Sequence, residues 1–504
     1  MDDKLSLTDR LSQWLGATYK ENAAPFLSGV TAGLAAHMFA MTNKLVNHDE
    51  IESLFGKGAT VTSGRWGLEL IKPLFPDWSM PWIYGLISIL LISAAVCMIL
   101  RILDIKSRPT QILVAALTLT FPSLTGTFCF MYTSSSYALA FLLSVLALRL
   151  FQRGGLRGAV PAALCAVLCL SIYQAYIAVT ASLFVLLMIG DSLDGERSVG
   201  SILLYGVRAL LTLAAALGVY AALTWLSFRI TGAQFNDYVT ANTNSAASIP
   251  GRILMAYVNF RDIFTFRNYY LISSEGSRYL HIAYVILLTL TMLALSLKNR
   301  KPLHTLLTLA LTALLPLSVN CMYLAMSGLS IHTLVLYSFI CLYLLGAMVM
   351  ERLAGGWQRM AKDGLALIMA LVALGNVYFA NMTYLKMHLQ YEAASAFYSA
   401  LCARVGDAEG FDEGCSLAVI GVQDNLLYKA EELDTELLLG PSVDLINIYS
   451  RESFFREYLG FDIPFASAEE LERIQGTAEF QAMAEYPYYG SVRRIGDCIV
   501  VKLG

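Results

Sequence analysis

Two adjacent carboxylates stand just beyond the first long apolar run, in Asn47-His48-Asp49-Glu50-Ile51. A carboxylate beside a histidine is equipped to take a proton from a hydroxyl, and acids at a membrane boundary are costly to place. A second cluster follows in the same polar segment, Ser63-Gly64-Arg65-Trp66-Gly67. The planar guanidinium of Arg65 suits a phosphate. Trp66 suits stacking on a sugar or anchoring in the membrane interface, and plain interfacial polarity would produce both clusters too.

A later polar segment carries Arg252, Arg261, Arg267 and Arg278, interleaved with Tyr257, Phe260, Phe264, Phe266, Tyr269 and Tyr270. Arginines among aromatic rings fit a lipid phosphate and a sugar face, and they equally fit an interfacial helix. His332 and Tyr337 fall near the end of an apolar run that faces the same side, whereas His37, His281 and His304 read as structural. Asp49, Glu50 and His48 offer metal-binding groups, but three consecutive residues rarely converge on one ion, so a divalent metal is not favoured and no cofactor is expected. Arg153-Gly154-Gly155-Leu156-Arg157-Gly158 is glycine-rich but follows a helix rather than a strand, and no other stretch has a nucleotide-binding pattern.

The elements that must position these groups are membrane helices. Hydrophobic residues make up 57% of the 504 and charged residues 14%, against about 45–50% and about 25% in soluble chains. Mean hydropathy is +0.59. Eleven spans are predicted, over 23–43, 81–101, 110–128, 132–150, 159–175, 177–191, 201–230, 279–297, 303–323, 331–350 and 364–384. Phe121-Pro122 and Gly126 break the third. The fifth and sixth meet at Tyr173-Gln174-Ala175-Tyr176, either as two short helices or as one kinked helix. Residues 1–22 carry charges before any long apolar run, which excludes a cleavable signal and suggests an amphipathic surface helix.

Lysine and arginine in the short loops set the orientation. Arg101, Lys106 and Arg108, then Arg149, Arg153 and Arg157, then Arg197, then Lys298, Arg300 and Lys301, then Arg352, Arg359 and Lys362 all fall on one side, with the N-terminus. That side is assigned to the cytoplasm. The polar loops 44–80 and 231–278, and the tail 385–504, then lie outside. From residue 384 onward the chain holds 9 Lys+Arg against 20 Asp+Glu, a net −11, and the remainder a net +8. Such a distribution offers no concentrated basic face for nucleic acid. In the tail, 385–405 reads as a helix continuing from the last span, 416–421 and 498–502 as strands and 468–473 as a helix, a small α/β domain. Cys402, Cys415 and Cys498 lie there, and one pair is available for a disulfide. The remaining six cysteines lie in apolar runs as small hydrophobes.

Asn47-His48-Asp49-Glu50, the Ser63-to-Gly67 run and Tyr173-Gln174, in this order and topology, resemble the GT-C membrane glycosyltransferases. More narrowly, the chain is similar to the bacterial and phage-type type II O-antigen glucosyltransferases (Glucos_trans_II) over most of residues 20–350, and Tyr486-Pro487, Gly490-Ser491 and Val500-Val501-Lys502 in the tail are similar too. The resemblance implies a GT-C-like polytopic α-helical membrane protein of about eleven transmembrane helices with a small extracytoplasmic α/β domain, in a bacterial cytoplasmic membrane. It implies transfer of a hexose, glucose by the family, from a polyprenyl-phosphate donor to a surface glycan or glycolipid at the outer face, with inversion. Flippase and donor-synthesising proteins would be its partners. The family's loop acid matches Asp49, with Glu50 the second candidate base. His48, Arg65, Trp66, Tyr173, Gln174, Arg252, Arg261, Arg267 and His332 would bind substrate. The rival reading is a transporter or flippase for a lipid-linked sugar. It would be expected to show internal repeats and charge near the membrane midplane. Neither is evident, since polar groups gather at one face.

Overall fold

Long apolar runs leave backbone amides without water, so each must be satisfied within its own segment, and helices do this. The computed structural model describes residues 6–504 except 57, 59, 244–246, 266–274, 299–300, 326–332, 413, 422–445 and 448. Its first helix, α1 (Leu7–Thr42), opens on a capping box between Ser6 and Asp9 and runs unbroken past Pro25. The surface helix expected at the N-terminus is therefore continuous with the first span. Two one-turn helices follow in the first polar segment, α2 (His48–Glu52) and α3 (Gly67–Ile71), and then α4 (Pro81–Ile102).

The third expected span breaks where proline demands it. Phe121 is extended between α5 (Arg108–Thr120) and α6 (Pro122–Cys129), and Pro122 starts the second piece. Next come α7 (Met131–Phe151), α8 (Gly155–Ile172) and α9 (Ile177–Asp194). Between α8 and α9, Tyr173 is extended and Gln174–Tyr176 form a 3₁₀ turn. Tyr137 near the start of α7 meets Tyr173 and Tyr176, while Phe151 at its end meets Phe184. The chain thus reverses at Tyr173, which makes two helices rather than one kinked one. Helix α10 (Val199–Thr231) turns a largely exposed apolar face outward, including Leu203, Leu204, Leu210, Leu211 and Trp225, as a lipid-facing helix does. The second polar segment holds α11 (Asp237–Thr243) and α12 (Ile249–Thr265). Then come α13 (Glu275–Lys298), α14 (Pro302–Val319), α15 (Met322–Ala325), α16 (Ile340–Glu351) and α17 (Trp357–Gly406).

Among the described residues ten helices are long and apolar enough to cross a membrane, and Tyr337–Glu351 is apolar but shorter. Each of the eleven expected spans has its counterpart in this set. The chain is a polytopic α-helical membrane protein. Its basic loops gather at one end of the bundle. Arg101 pairs with Glu21 on α1, and Glu351 accepts from the amides of Lys106 and Ser107. Asp194 holds Arg352 at 2.7 Å through two nitrogens, Lys301 donates to the Gly195 carbonyl, and His304 bonds the Arg197 carbonyl.

At the other end, α17 carries the chain into the tail. A three-stranded sheet of β1 (Ser416–Ile420), β2 (Val492–Ile495) and β3 (Cys498–Lys502) has the order β1-β3-β2, with β1 parallel and β2 antiparallel to β3. Strand side chains alternate between two faces. Ala418, Ile420, Cys498 and Val500 pack with Ile474 of α18 (Ala468–Gln475) and with Phe480. Leu417, Val419, Ile499 and Val501 pack with Tyr398, Leu401, Phe454 and Phe455, and this core also takes in Val46 and Ile51 of the first polar segment. All nine cysteines are free thiols. Cys415 and Cys498 belong to opposite faces of the sheet.

Candidate active site

Asn47 caps α2. Its side-chain oxygen accepts the Glu50 amide at 2.9 Å, and its side-chain nitrogen donates to the Cys129 carbonyl at 2.5 Å, which ties the turn to the end of α6. Successive helical residues point about 100° apart, so Asp49 and Glu50 face different surroundings. The Glu50 side chain is fully buried and ion-paired to Lys44. Its carboxylate accepts from the Ser79 hydroxyl and, at 3.2 Å, from the Tyr132 amide at the start of α7, where a helix N-terminus favours negative charge. Lys44 also donates to Ser79 at 2.8 Å. The Asp49 side chain is 42% exposed, with His48 Nε2 at 3.4 Å. The other ring nitrogen, His48 Nδ1, is buried without a partner among the described residues.

Arg65 is set by the turn before it. Gly64 adopts φ +71°, and a Cβ there would stand 2.6 Å from the Tyr220 hydroxyl, so the turn requires glycine. Gln174 donates to the Ser63 carbonyl at 2.9 Å and to the Tyr220 hydroxyl at 3.0 Å, and Tyr220 donates to the Gly64 carbonyl at 3.0 Å. Gln174 therefore holds the loop. The Arg65 guanidinium donates to the Tyr137 hydroxyl at 2.9 Å and lies 5.2 Å from the centre of the Tyr173 ring. Tyr137 and Tyr173 are stacked at 4.0 Å. Trp66 donates to Thr224 of α10 at 3.1 Å, so its indole nitrogen fastens the loop to the bundle. Glu50 accepts from the Tyr132 amide and Arg65 donates to the Tyr137 hydroxyl, so both side chains meet the first turns of α7.

The second polar segment reaches this loop through Asn236, whose amide donates to the Thr62 carbonyl at 3.0 Å and whose side chain donates to Ser63 Oγ at 3.1 Å. Two of its arginines bond within the chain. Arg252 donates to the Ala247 and Leu324 carbonyls, and Arg261 pairs with Asp262. Arg267 and His332 lie outside the described residues. Tyr337 is buried and donates to the Thr118 carbonyl, and His37 is buried between Tyr384 and the Leu119 carbonyl. Among the described residues, no three or more His, Cys, Asp or Glu side chains gather as a metal site would require.

Three residues of this region escape the sequence reading. Glu52 stands three positions after Asp49 on the same one-turn helix, a spacing that helical periodicity places on one face. Tyr449 and Tyr458 come from the tail. Partial burial, with Glu52 and Asp49 nearby, raises the Tyr449 hydroxyl above its ordinary value. Burial, with Glu50 nearby, raises that of Tyr458. Nothing local in the sequence marks either tyrosine.

A family model described as Glucosyl transferase GtrII matches residues 38–343. The match runs from the end of α1 into α16. It includes Asp49, Arg65, Tyr173 and Gln174, and it stops short of the tail. No curated protein matches the chain. The chain belongs to the Glucosyl transferase GtrII family, and it is a membrane glycosyltransferase.

Proposed function

We propose that this GtrII-family enzyme moves a hexose, glucose by its family, from a polyprenyl phosphate to a surface glycan or glycolipid, with Asp49 as general base. The setting is the outer face of a bacterial cytoplasmic membrane, and the reaction is of the inverting GT-C type. One observation carries the choice of base. Of two adjacent acids, Glu50 is saturated by Lys44, Ser79 and the Tyr132 amide in a fully buried position, while Asp49 stays open to solvent beside His48. A base must reach the proton it removes.

The acceptor hydroxyl gives its proton to Asp49, and its oxygen forms the new bond to the anomeric carbon. The bond from that carbon to the phosphate oxygen breaks, and the electron pair leaves with the lipid phosphate. A phosphate is a good leaving group and needs little acid assistance, so positive charge beside it is the main requirement. Arg65, braced by Tyr137 and Tyr173 of the membrane helices, supplies that charge. His48, half-buried beside Asp49, contributes to substrate binding. No metal enters this step. A donor made on the cytoplasmic side would require a flippase and a donor-synthesising partner.

The test is mass analysis of surface glycans from cells carrying the wild type, no protein, or Asp49→Asn, with membrane insertion checked for each. The expected result is a hexose increment that only the wild type adds. An Asp49→Asn variant that still adds the hexose overturns the assignment of the base. A wild type that changes no glycan mass favours transport of a lipid-linked sugar.

A further inference from the structure

Around the candidate base the described tail contributes Ile446, Asn447 and residues 449–458. Ile446 is buried in the core that also holds Val46 and Ile51. Asn447 and Ser450 close a turn on each other, at 3.2 Å from the Asn447 amide to Ser450 Oγ and 3.1 Å from the Ser450 amide to Asn447 Oδ1. Arg451 is buried and donates to the carbonyls of Val419 and Gly421, which pins the turn to the end of β1. Phe454 and Phe455 are fully buried behind it. On this fixed turn Tyr449 stays 61% exposed. Glu52 follows Ile51 on α2, Ile446 lies three residues before Tyr449, and the two isoleucines belong to this one core, which brings the exposed tyrosine to the α2 side of the tail, within the influence of Glu52 and Asp49.

We propose that Tyr449 and Glu52 form the acceptor site, with the tyrosine ring lying against a sugar of the acceptor glycan and the Glu52 carboxylate accepting its hydroxyls. The proposal rests on the reading of Asp49 as the base. A tyrosine offers a flat apolar face with a polar tip, and a carboxylate is an acceptor-only group, a pairing that matches the ribbed apolar faces and hydroxyl rim of a pyranose. The division of sides follows from inversion. Attack and departure occur on opposite sides of the anomeric carbon, so acceptor and phosphate must approach from opposite directions. Arg65, held by membrane-helix residues Tyr137 and Tyr173, takes the phosphate. The tail, on the other side, takes the acceptor.

The experiment uses the full chain in native membranes. Its probes are a short-chain polyprenyl-phosphate glucose as donor and lipid-linked glycan extracted from the same cells as acceptor. Tyr449→Ala should raise the acceptor KM about tenfold, the loss of one stacking contact worth about 1.4 kcal/mol, and leave the donor KM within about twofold. Tyr449→Phe keeps the ring and should stay close to the wild type. Glu52→Gln, on a separate element, should raise the acceptor KM several-fold and serves as the independent probe if Tyr449→Ala inserts poorly. Unchanged acceptor KM in both Tyr449→Ala and Glu52→Gln, or an equal rise in donor KM, overturns the proposal. Asp49→Asn separates the two readings. It should abolish turnover at saturating acceptor, and if turnover persists the base is misassigned while the KM effects still decide the acceptor site.

Discussion

Asp49 and Glu50 differ in environment, one open to solvent and one buried against Lys44, and the difference predicts opposite behaviour on substitution. Glu50→Gln leaves Lys44 in a mostly buried site without its counter-charge, which costs on the order of 3 kcal/mol, and thermal unfolding of the purified protein should register the loss. Replacing both partners, as Lys44→Met with Glu50→Leu, removes the uncompensated charge, and buried pairs exchanged for apolar residues of similar size are often neutral. The double variant should therefore recover most of the stability and also transfer sugar. A stable double variant with no transfer would make Glu50 the base instead. The sequence shows Asp49, Arg65 and Gln174 as residues of interest because they sit in short local motifs. It does not show which acid is buried, since Lys44, Ser79 and Tyr132 approach Glu50 from three separate segments. The partner of Trp66, Thr224, is 158 positions away for the same reason. Glu52 was readable from its i+3 spacing once Asn47 is taken as the cap of a helix, whereas Tyr449 depends on how the tail docks.

Helices and turns were more legible than side-chain partners, because their signals are local. Pro122 predicts its break, the short Tyr173 junction marks the reversal between α8 and α9, and the apolar alternation of β3 predicts a strand. Strand β2 was missed because Arg493 and Arg494 occupy its exposed middle and leave too little apolar pattern. The turn that aims Arg65 rests on glycines whose necessity appears only in three dimensions. A Cβ on Gly67 would run into the Ser171 side chain and stand 2.9 Å from its carbonyl carbon. Because backbone is part of the obstacle, trimming Ser171 to alanine does not relieve it. Gly67→Ala should cost about 1–3 kcal/mol by overpacking and displace Arg65, two residues earlier. Misplacement of a catalytic group by about 1 Å costs on the order of 100-fold in rate, so turnover should fall by that order while the protein still inserts. Gly200→Ala on α10, where nothing lies within 4 Å of the added carbon, is the control and should match the wild type. Equal activity in the two variants would show that the turn does not position Arg65.

The whole molecule is polarised along its bundle. Glu21 near the start of the first span pairs with Arg101 among the basic loops, while Val46, just past the end of that span, is buried in the tail's core. The tail and the N-terminus are therefore at opposite ends, which requires an odd number of crossings. Among the described residues ten long helices give an even number, so the shorter segment Tyr337–Glu351 decides the parity. At 1.5 Å per residue it falls short of a hydrocarbon core of about 30 Å. It follows the 3₁₀ turn Thr333–Val335 and begins with another, Tyr337–Phe339, and its residues are almost all buried. Irregular backbone is tolerated at membrane depth where protein surrounds it, so this segment is expected to make the eleventh crossing. On that count we propose that the excess of lysine and arginine puts the basic end in the cytoplasm and the acidic tail outside. Two single substitutions test this in intact cells with a membrane-impermeant maleimide. Tyr489→Cys, at a position 98% exposed in the tail, should label without permeabilisation. Ser6→Cys, exposed before α1, should label only after it, with the wild-type thiols, none of them exposed, as background. Labelling of both in intact cells would mean that Tyr337–Glu351 does not cross. The reverse pattern would move Asp49 to the cytoplasmic face, where nucleotide sugars are available, and the case for a lipid-linked donor would fail with it.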